Sequence, residues 1–258
     1  MHNFVIEKLN TKENKMNFTT QNTLAEIVKS DFRTARVFEN HNLDFCCKGN
    51  RALAEACIEQ KLDANEILSE VTSVCTEKNS EKDSASWKTE ELVNHILNTH
   101  HVYVKRMLPV ILAHSQKVSE VHGKNHAEVK EIAEIFERIH NELSSHLMKE
   151  ERMLFPIILQ LSEMEKNNSK MEVSPFGSIQ NPIDVMEREH VEAGEGFYKI
   201  RELSNNYNPP EDACTTYKIL YQELNEFEQD LHTHIHLENN ILFPKAVELE
   251  KKLMGNQN

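Results

Sequence analysis

Two stretches of the chain carry the same chemical groups at the same spacing. His146-Leu-Met-Lys-Glu150 runs on into Glu-Arg-Met-Leu-Phe-Pro156, and His234-Ile-His-Leu-Glu238 runs on into Asn-Asn-Ile-Leu-Phe-Pro244. His, Glu, Leu, Phe and Pro all recur at an offset of 88 residues, His146 to His234. On a helix, His and Glu four apart project from one face, a turn apart. An imidazole nitrogen and a carboxylate oxygen so placed can share a metal ion, and the second carboxylate oxygen can reach another. One His-x-x-x-Glu is commonly a surface pair, but a surface pair has no reason to return with the same Leu-Phe-Pro tail. A second correspondence, at an offset of 89, relates Ile96-Leu97 ahead of His101 to Val185-Met186 ahead of His190. The candidate ligands are therefore His101, His146, Glu150, His190, His234 and Glu238, three donors per ion if both carboxylates bridge. Nitrogen and oxygen donors without thiolate suit iron or manganese in an open, redox-capable geometry better than tetrahedral structural zinc, though zinc stays compatible with the residues.

In the first of these helices the apolar positions Val93, Ile96, Tyr103, Val104 and Met107 favour His100 as the inward imidazole on periodicity alone. The repeat favours His101, whose neighbours Leu97, Val104 and Leu108 are also apolar, and His101 is taken with His100 as the alternative. The chain has 14 His, and all but His2 and His41 lie between His95 and His236, so most of them are not ligands. His114, His122, His126 and His140 read as surface or helix-end residues. His232 and His236, two residues either side of His234, are expected to point off its face.

The elements that must position these groups are helices. Only 6 Gly and 7 Pro in 258 residues leave little turn material for many short strands, so an all-α protein is expected. Four long amphipathic helices are expected over about 89–121, 126–164, 182–203 and 211–252, an up-down-up-down bundle spanning 87–253. The doubled hairpin gives it an approximate two-fold axis, a natural seat for two equivalent metals. Ahead of it, residues 19–75 form a small helical domain. Thr23 to Glu26 and Asp63 to Glu66 are capping boxes, Asn50 is placed to cap a third helix, and a short helix covers Thr34 to Phe38. Residues 1–18 are expected to be disordered and 76–86 to be a linker that lets the small domain swing.

A formal charge of −13 argues against nucleic acid and against anionic membrane surfaces. No apolar run approaches a membrane span, the first residues lack a signal-peptide pattern, and five cysteines make an odd set, so a cytoplasmic protein with reduced thiols is expected. Cys46 and Cys47 stand ahead of an expected helix start and beside Lys48, where positive potential would raise their thiolate fraction. Thiolates are soft donors for iron or redox exchange. Cys57, Cys75 and Cys214 are read as structural.

With HLMKEERMLFP, EREHVEAGE and HIHLENNILFP, the long-helix region resembles the hemerythrin-like domain of the iron–sulfur cluster repair di-iron proteins. NHNLDFCCKGNRAL, Asn40 to Leu53, resembles that family's short Asp-Phe-Cys-Cys domain, and the likeness extends from about Thr20 to Lys252. The resemblance implies a non-haem, oxo-bridged pair of irons on the six residues above, with the two Glu bridging, and a functional role for Cys46 and Cys47. It implies repair of clusters damaged by oxidative or nitrosative stress, by supply of labile iron to damaged iron–sulfur proteins, and a possible homodimer. The same ligands would serve two alternatives, a nitric oxide reductase and a sensor of oxygen or nitric oxide. Oxygen-carrying hemerythrins differ: they carry a fifth His four residues after the third-helix His, where this chain has Gly194, and an Asp five residues after the last His, where this chain has Glu238 at four.

Overall fold

The computed structural model describes residues 18–45, 48–76, 87–169 and 177–255. The expectations for the N-terminal tail, for the 76–86 linker and for Cys46 and Cys47 fall on residues outside this set, apart from Phe18 and Thr76 at its edges. Within it the chain is helical, and its one β-type contact is an isolated bridge between Thr23 and Ala52.

The N-terminal unit contains α1 (Leu24–Ser30), α2 (Ala35–Asn40), α3 (Leu53–Gln60) and α4 (Ala64–Thr76). The capping box opens α1: Glu26 N–H donates to Thr23 Oγ1 at 3.1 Å, and Thr23 N–H donates to Glu26 Oε2 at 3.0 Å. Asp63 Oδ1 accepts from Asn65 N–H at the head of α4. Asn50 does not cap α3. The cap position is Ala52, and the free N–H groups of Leu53 and Ala54 are met by the carbonyls of Asn22 and Thr20, both at 2.9 Å, so no side chain is needed. Gly49 fits here because a Cβ would collide with the Phe45 carbonyl and press on Ala25.

Four long helices form the bundle: α5 (89–122), α6 (128–166), α7 (Gln180–Leu203) and α8 (215–255). α5 packs on α6 and α8, and α6 on α7. Pro109 lies inside α5 without ending it. The last helix starts at Thr215, later than its sequence suggests. Asn205, Asn206 and Tyr207 are all left-handed, two prolines follow, and a turn closed by Ala213 N–H on the Pro210 carbonyl at 3.0 Å precedes an extended Cys214. Tyr207 is held in that unusual conformation by its hydroxyl, which donates to Glu228 Oε2 at 2.9 Å.

Three of the long helices widen to a π-helical turn, at Ile96–His101, Glu150–Leu154 and Glu238–Leu242. The widening in α6 and α8 is the same: Phe155 N–H bonds back to the Glu150 carbonyl, and Phe243 N–H to that of Glu238. Pro156 and Pro244 follow at once, where an ordinary helix would need the N–H they lack.

The N-terminal unit is docked over the seam between α7 and α8. Arg201 of α7 donates from Nε to Glu228 Oε2 at 3.1 Å on α8 and from Nη1 to Asn42 Oδ1 at 3.1 Å. Phe45 is buried edge-on to His232 and His236, with ring centroids 6.0 and 5.9 Å away, and packs on Phe38 as well. One apolar cluster thus runs from Leu24, Ile27 and Phe38 to Phe136, Phe197 and Phe227. Truncating Phe45 to Ala is expected to cost about 3 kcal/mol or more in urea unfolding, typical of a buried Phe, and to speed proteolysis between the unit and the bundle.

Candidate metal centre

Four inward imidazoles and two carboxylates meet halfway along the bundle, below the apolar cluster just described and above a second one built on Ile96, Phe155, Ile158, Ile183 and Phe243. They form two quartets that share both carboxylates: His101, Glu150, His234 and Glu238 in one, and His146, Glu150, His190 and Glu238 in the other. All six side chains are buried, Glu150 and Glu238 at 0 % exposure. His101 comes from the end of one π turn, and Glu150 and Glu238 each begin another. His100, the alternative, turns away and places Nδ1 3.0 Å from Asp230 Oδ1.

The spacings suit a shared cation. Glu150 Oε2 lies 3.4 Å from His101 Nε2 and 3.3 Å from His146 Nε2, long for hydrogen bonds. Glu238 lies 3.0 Å from His234 Nε2, 3.2 Å from His190 Nε2 and 3.9 Å from His101 Nε2. Donors about 2.1 Å from one ion stand roughly 3.0 to 3.4 Å apart, so all of these gaps but the 3.9 Å one match ligand–ligand distances. Neither oxygen of Glu150 has a hydrogen-bond partner among the described residues, nor has His101 Nε2. Buried polar atoms left so are what a bound cation would satisfy. The donor set fits a non-haem metal site.

Without metal, protons supply the balancing charge. Burial disfavours the His101 imidazolium, but Glu150 and Glu238 outweigh it and push the group up to about 10. His146 also reaches about 10 against its burial, through Glu150 and Glu189. In return the surrounding imidazoles hold Glu150 below the usual carboxylate range, and Glu238 well below it, against the burial of each.

A ring of outer partners orients the imidazoles. His101 Nδ1 lies 2.8 Å from Glu151 Oε1, and Lys105 Nζ braces that carboxylate at 2.5 Å. His146 Nδ1 lies 2.9 Å from Glu189 Oε2, braced by Lys149. His190 Nδ1 lies 2.8 Å from Asn239 Oδ1. Each contact turns Nε2 inward. These residues escape a search for ligands, yet Glu151, Glu189 and Asn239 each adjoin one in the chain, and Glu151 and Asn239 are equivalent in the repeat.

His236 lies outside both quartets, off the face of His234 as its spacing implies, and is fully buried against Phe45; burial first, then Lys29, pulls it down to about 3. His100 is also buried. His114 pairs with Glu223, His126 with Glu128 and Asp212, and His122 with Cys214, away from the centre. Cys57 is buried, while Cys75 is partly exposed and Cys214 exposed at the head of α8. Gly194, one turn beyond His190, lines a cavity of about 190 Å³ between α7, α8 and the N-terminal unit.

The hydrogen bond from His146, helped by Lys149, draws Glu189 from 4.5 to about 2. A depressed carboxyl stabilises the fold above its unfolded pKa, and that contribution is lost as pH falls through the folded one. Metal-free protein is therefore expected to lose stability from pH 4.5 down to about 2, and Glu189→Gln to flatten that slope in acid-unfolding curves.

Comparison with known proteins follows the same division of the chain. Residues 92–246 match the Hemerythrin HHE cation binding domain, and residues 20–74 match a Domain of Unknown function, DUF542. A protein of Cronobacter sakazakii named "Iron-sulfur cluster repair protein YtfE" is 39% identical over 229 residues, 88% of this chain and 97% of its own length. Proteins of the same name from Shigella boydii serotype 4 and Escherichia coli O81 are 38% identical over 225 residues, 87% of this chain and 96% of theirs. The chain therefore belongs to the family of the iron-sulfur cluster repair protein YtfE, and its long-helix region is a hemerythrin HHE cation-binding domain.

Proposed function

We propose that this protein repairs damaged iron–sulfur clusters, holding two non-haem irons on His101, His146, Glu150, His190, His234 and Glu238 and supplying iron from that store to client iron–sulfur proteins. The observation that carries the reading is the pair of buried quartets sharing Glu150 and Glu238. The names of the relatives support the client class. Bound iron supplies a charge that changes with oxidation state, and so an affinity that does.

The protein's own residues do the remainder. Glu150 and Glu238 offset positive charge in a space where water cannot. Glu151, Glu189 and Asn239 fix which imidazole nitrogen faces inward. The apolar clusters on either side keep bulk water from the ligands. Cys46 and Cys47 are assigned to relaying iron or meeting the client, as soft donors that directly follow the anchored Phe45 in sequence. Among the described residues no helix is long and apolar enough to cross a membrane, and the reading assigns the protein to the cytoplasm, with oxygen or nitric oxide as small ligands.

Metal analysis tests the centre. The purified protein is expected to hold about two irons per chain, with near-ultraviolet charge-transfer absorption, as di-iron bundles do. Glu150→Ala, common to both quartets, is expected to abolish both positions, whereas His190→Leu leaves the His101 quartet intact. Zinc alone in the wild-type protein would sink the iron reading. Repair is tested by restoring an oxidant-damaged cluster enzyme with the loaded protein. A Cys46→Ser/Cys47→Ser double variant that keeps its metal is expected to lose most of that activity; undiminished repair removes the relay.

A further inference from the structure

The two quartets are related by the internal repeat, but their surroundings are not. At the offsets of 88 and 89, Glu151 corresponds to Asn239 and His100 to Glu189. Three of these four residues do the same thing. Glu151, Asn239 and Glu189 accept from the Nδ1 atoms of His101, His190 and His146, at 2.8, 2.8 and 2.9 Å. His100 departs from the pattern. It stands where a partner for His234 belongs, yet its ring lies parallel to that of His234, centroids 5.5 Å apart at an interplanar angle of 7°, and its own Nδ1 is engaged with Asp230. His234 Nδ1 and His100 Nε2 are buried with no hydrogen-bond partner among the described residues.

A ligating imidazole held by an acceptor at its outer nitrogen is fixed in orientation and more basic, and loss of such a partner typically costs 10 to 100-fold in metal affinity. The carboxylates are common to both quartets and cannot distinguish them. His101 and His146 are matched, each on a glutamate braced by a lysine, Lys105 and Lys149. The remaining contrast is His190, seated on Asn239, against His234, seated on nothing.

We infer that the two metal positions are unequal: the ion on His101 and His234 is released first, and His100 is the positioning residue that makes it so. This rests on the ligand set proposed above. The protein then gives up one ion while the other keeps Glu150 and Glu238 neutralised, which makes it a one-ion donor with a retained partner.

The test follows release rather than repair. Protein loaded anaerobically with ferrous iron and mixed with excess ferrous chelator is expected to lose iron in two phases of equal amplitude, differing in rate by about 10-fold or more. Asn239→Ala removes the acceptor that separates the positions and is expected to bring the slow phase up to the fast one. His100→Gln offers His234 an amide oxygen and is expected to slow the fast phase. A single rate for both ions in the wild type, or a slow phase that Asn239→Ala leaves unmoved, overturns the inference. Failure of the wild type to bind more than one iron per chain overturns the ligand set itself, so the two failures are distinct.

Discussion

An ionised carboxylate moved from water into an apolar interior costs several kcal/mol unless opposite charge meets it, and Glu150 and Glu238 are both sealed in the same space. Their proximity makes each raise the cost of the other. The fold answers with four imidazoles, one from each long helix, and with a division of its core into two apolar clusters that leave the polar layer between them. Replacing any one helix would strand charge on the other three. The requirement for compensating cations, protonic or metallic, therefore organises the bundle more strictly than apolar packing alone would.

The π turns are the local expression of that demand. Each begins at a Glu shared by the two quartets or ends at His101, and in α6 and α8 the wide turn closes on the Glu carbonyl itself. The Leu-Phe-Pro tail then has a mechanical sense: Leu and Phe pack into the lower cluster, while proline sits just after the widened turn, where the normal hydrogen-bond pattern is already broken. The orienting contacts are made across helices by residues adjoining the candidate ligands, so a substitution one place from a quartet residue acts on a different helix from its own.

What could be read from sequence was what is local or repeated. The capping box at Thr23, the long amphipathic helices and the doubled His-x-x-x-Glu need no tertiary knowledge, and the repeat favoured His101, which lies beside Glu150 and Glu238, where periodicity favoured His100, which turns to Asp230. Features that depend on what packs against a residue were not legible. The burial of His236 is one of them, since it comes from Phe45, nearly two hundred residues earlier. Ala52 needs no side-chain cap only because the segment before α1 lends its carbonyls. Glu189 and Asn239 looked like ordinary acidic and polar helix positions, since their partners lie on facing helices.

Each quartet draws one imidazole from the first hairpin and one from the second, so neither hairpin holds a complete set. Were the hairpins separate chains, the centre would be a dimer interface, and its occupancy would depend on how much protein the cell made. Residues 167–179 join them in sequence, which turns that encounter into an intramolecular one with an effective concentration set by the length of the connection. Lengthening the tether weakens it slowly, by about 0.6 kcal/mol per doubling. Having both hairpins in one chain thus makes assembly of the centre independent of protein abundance.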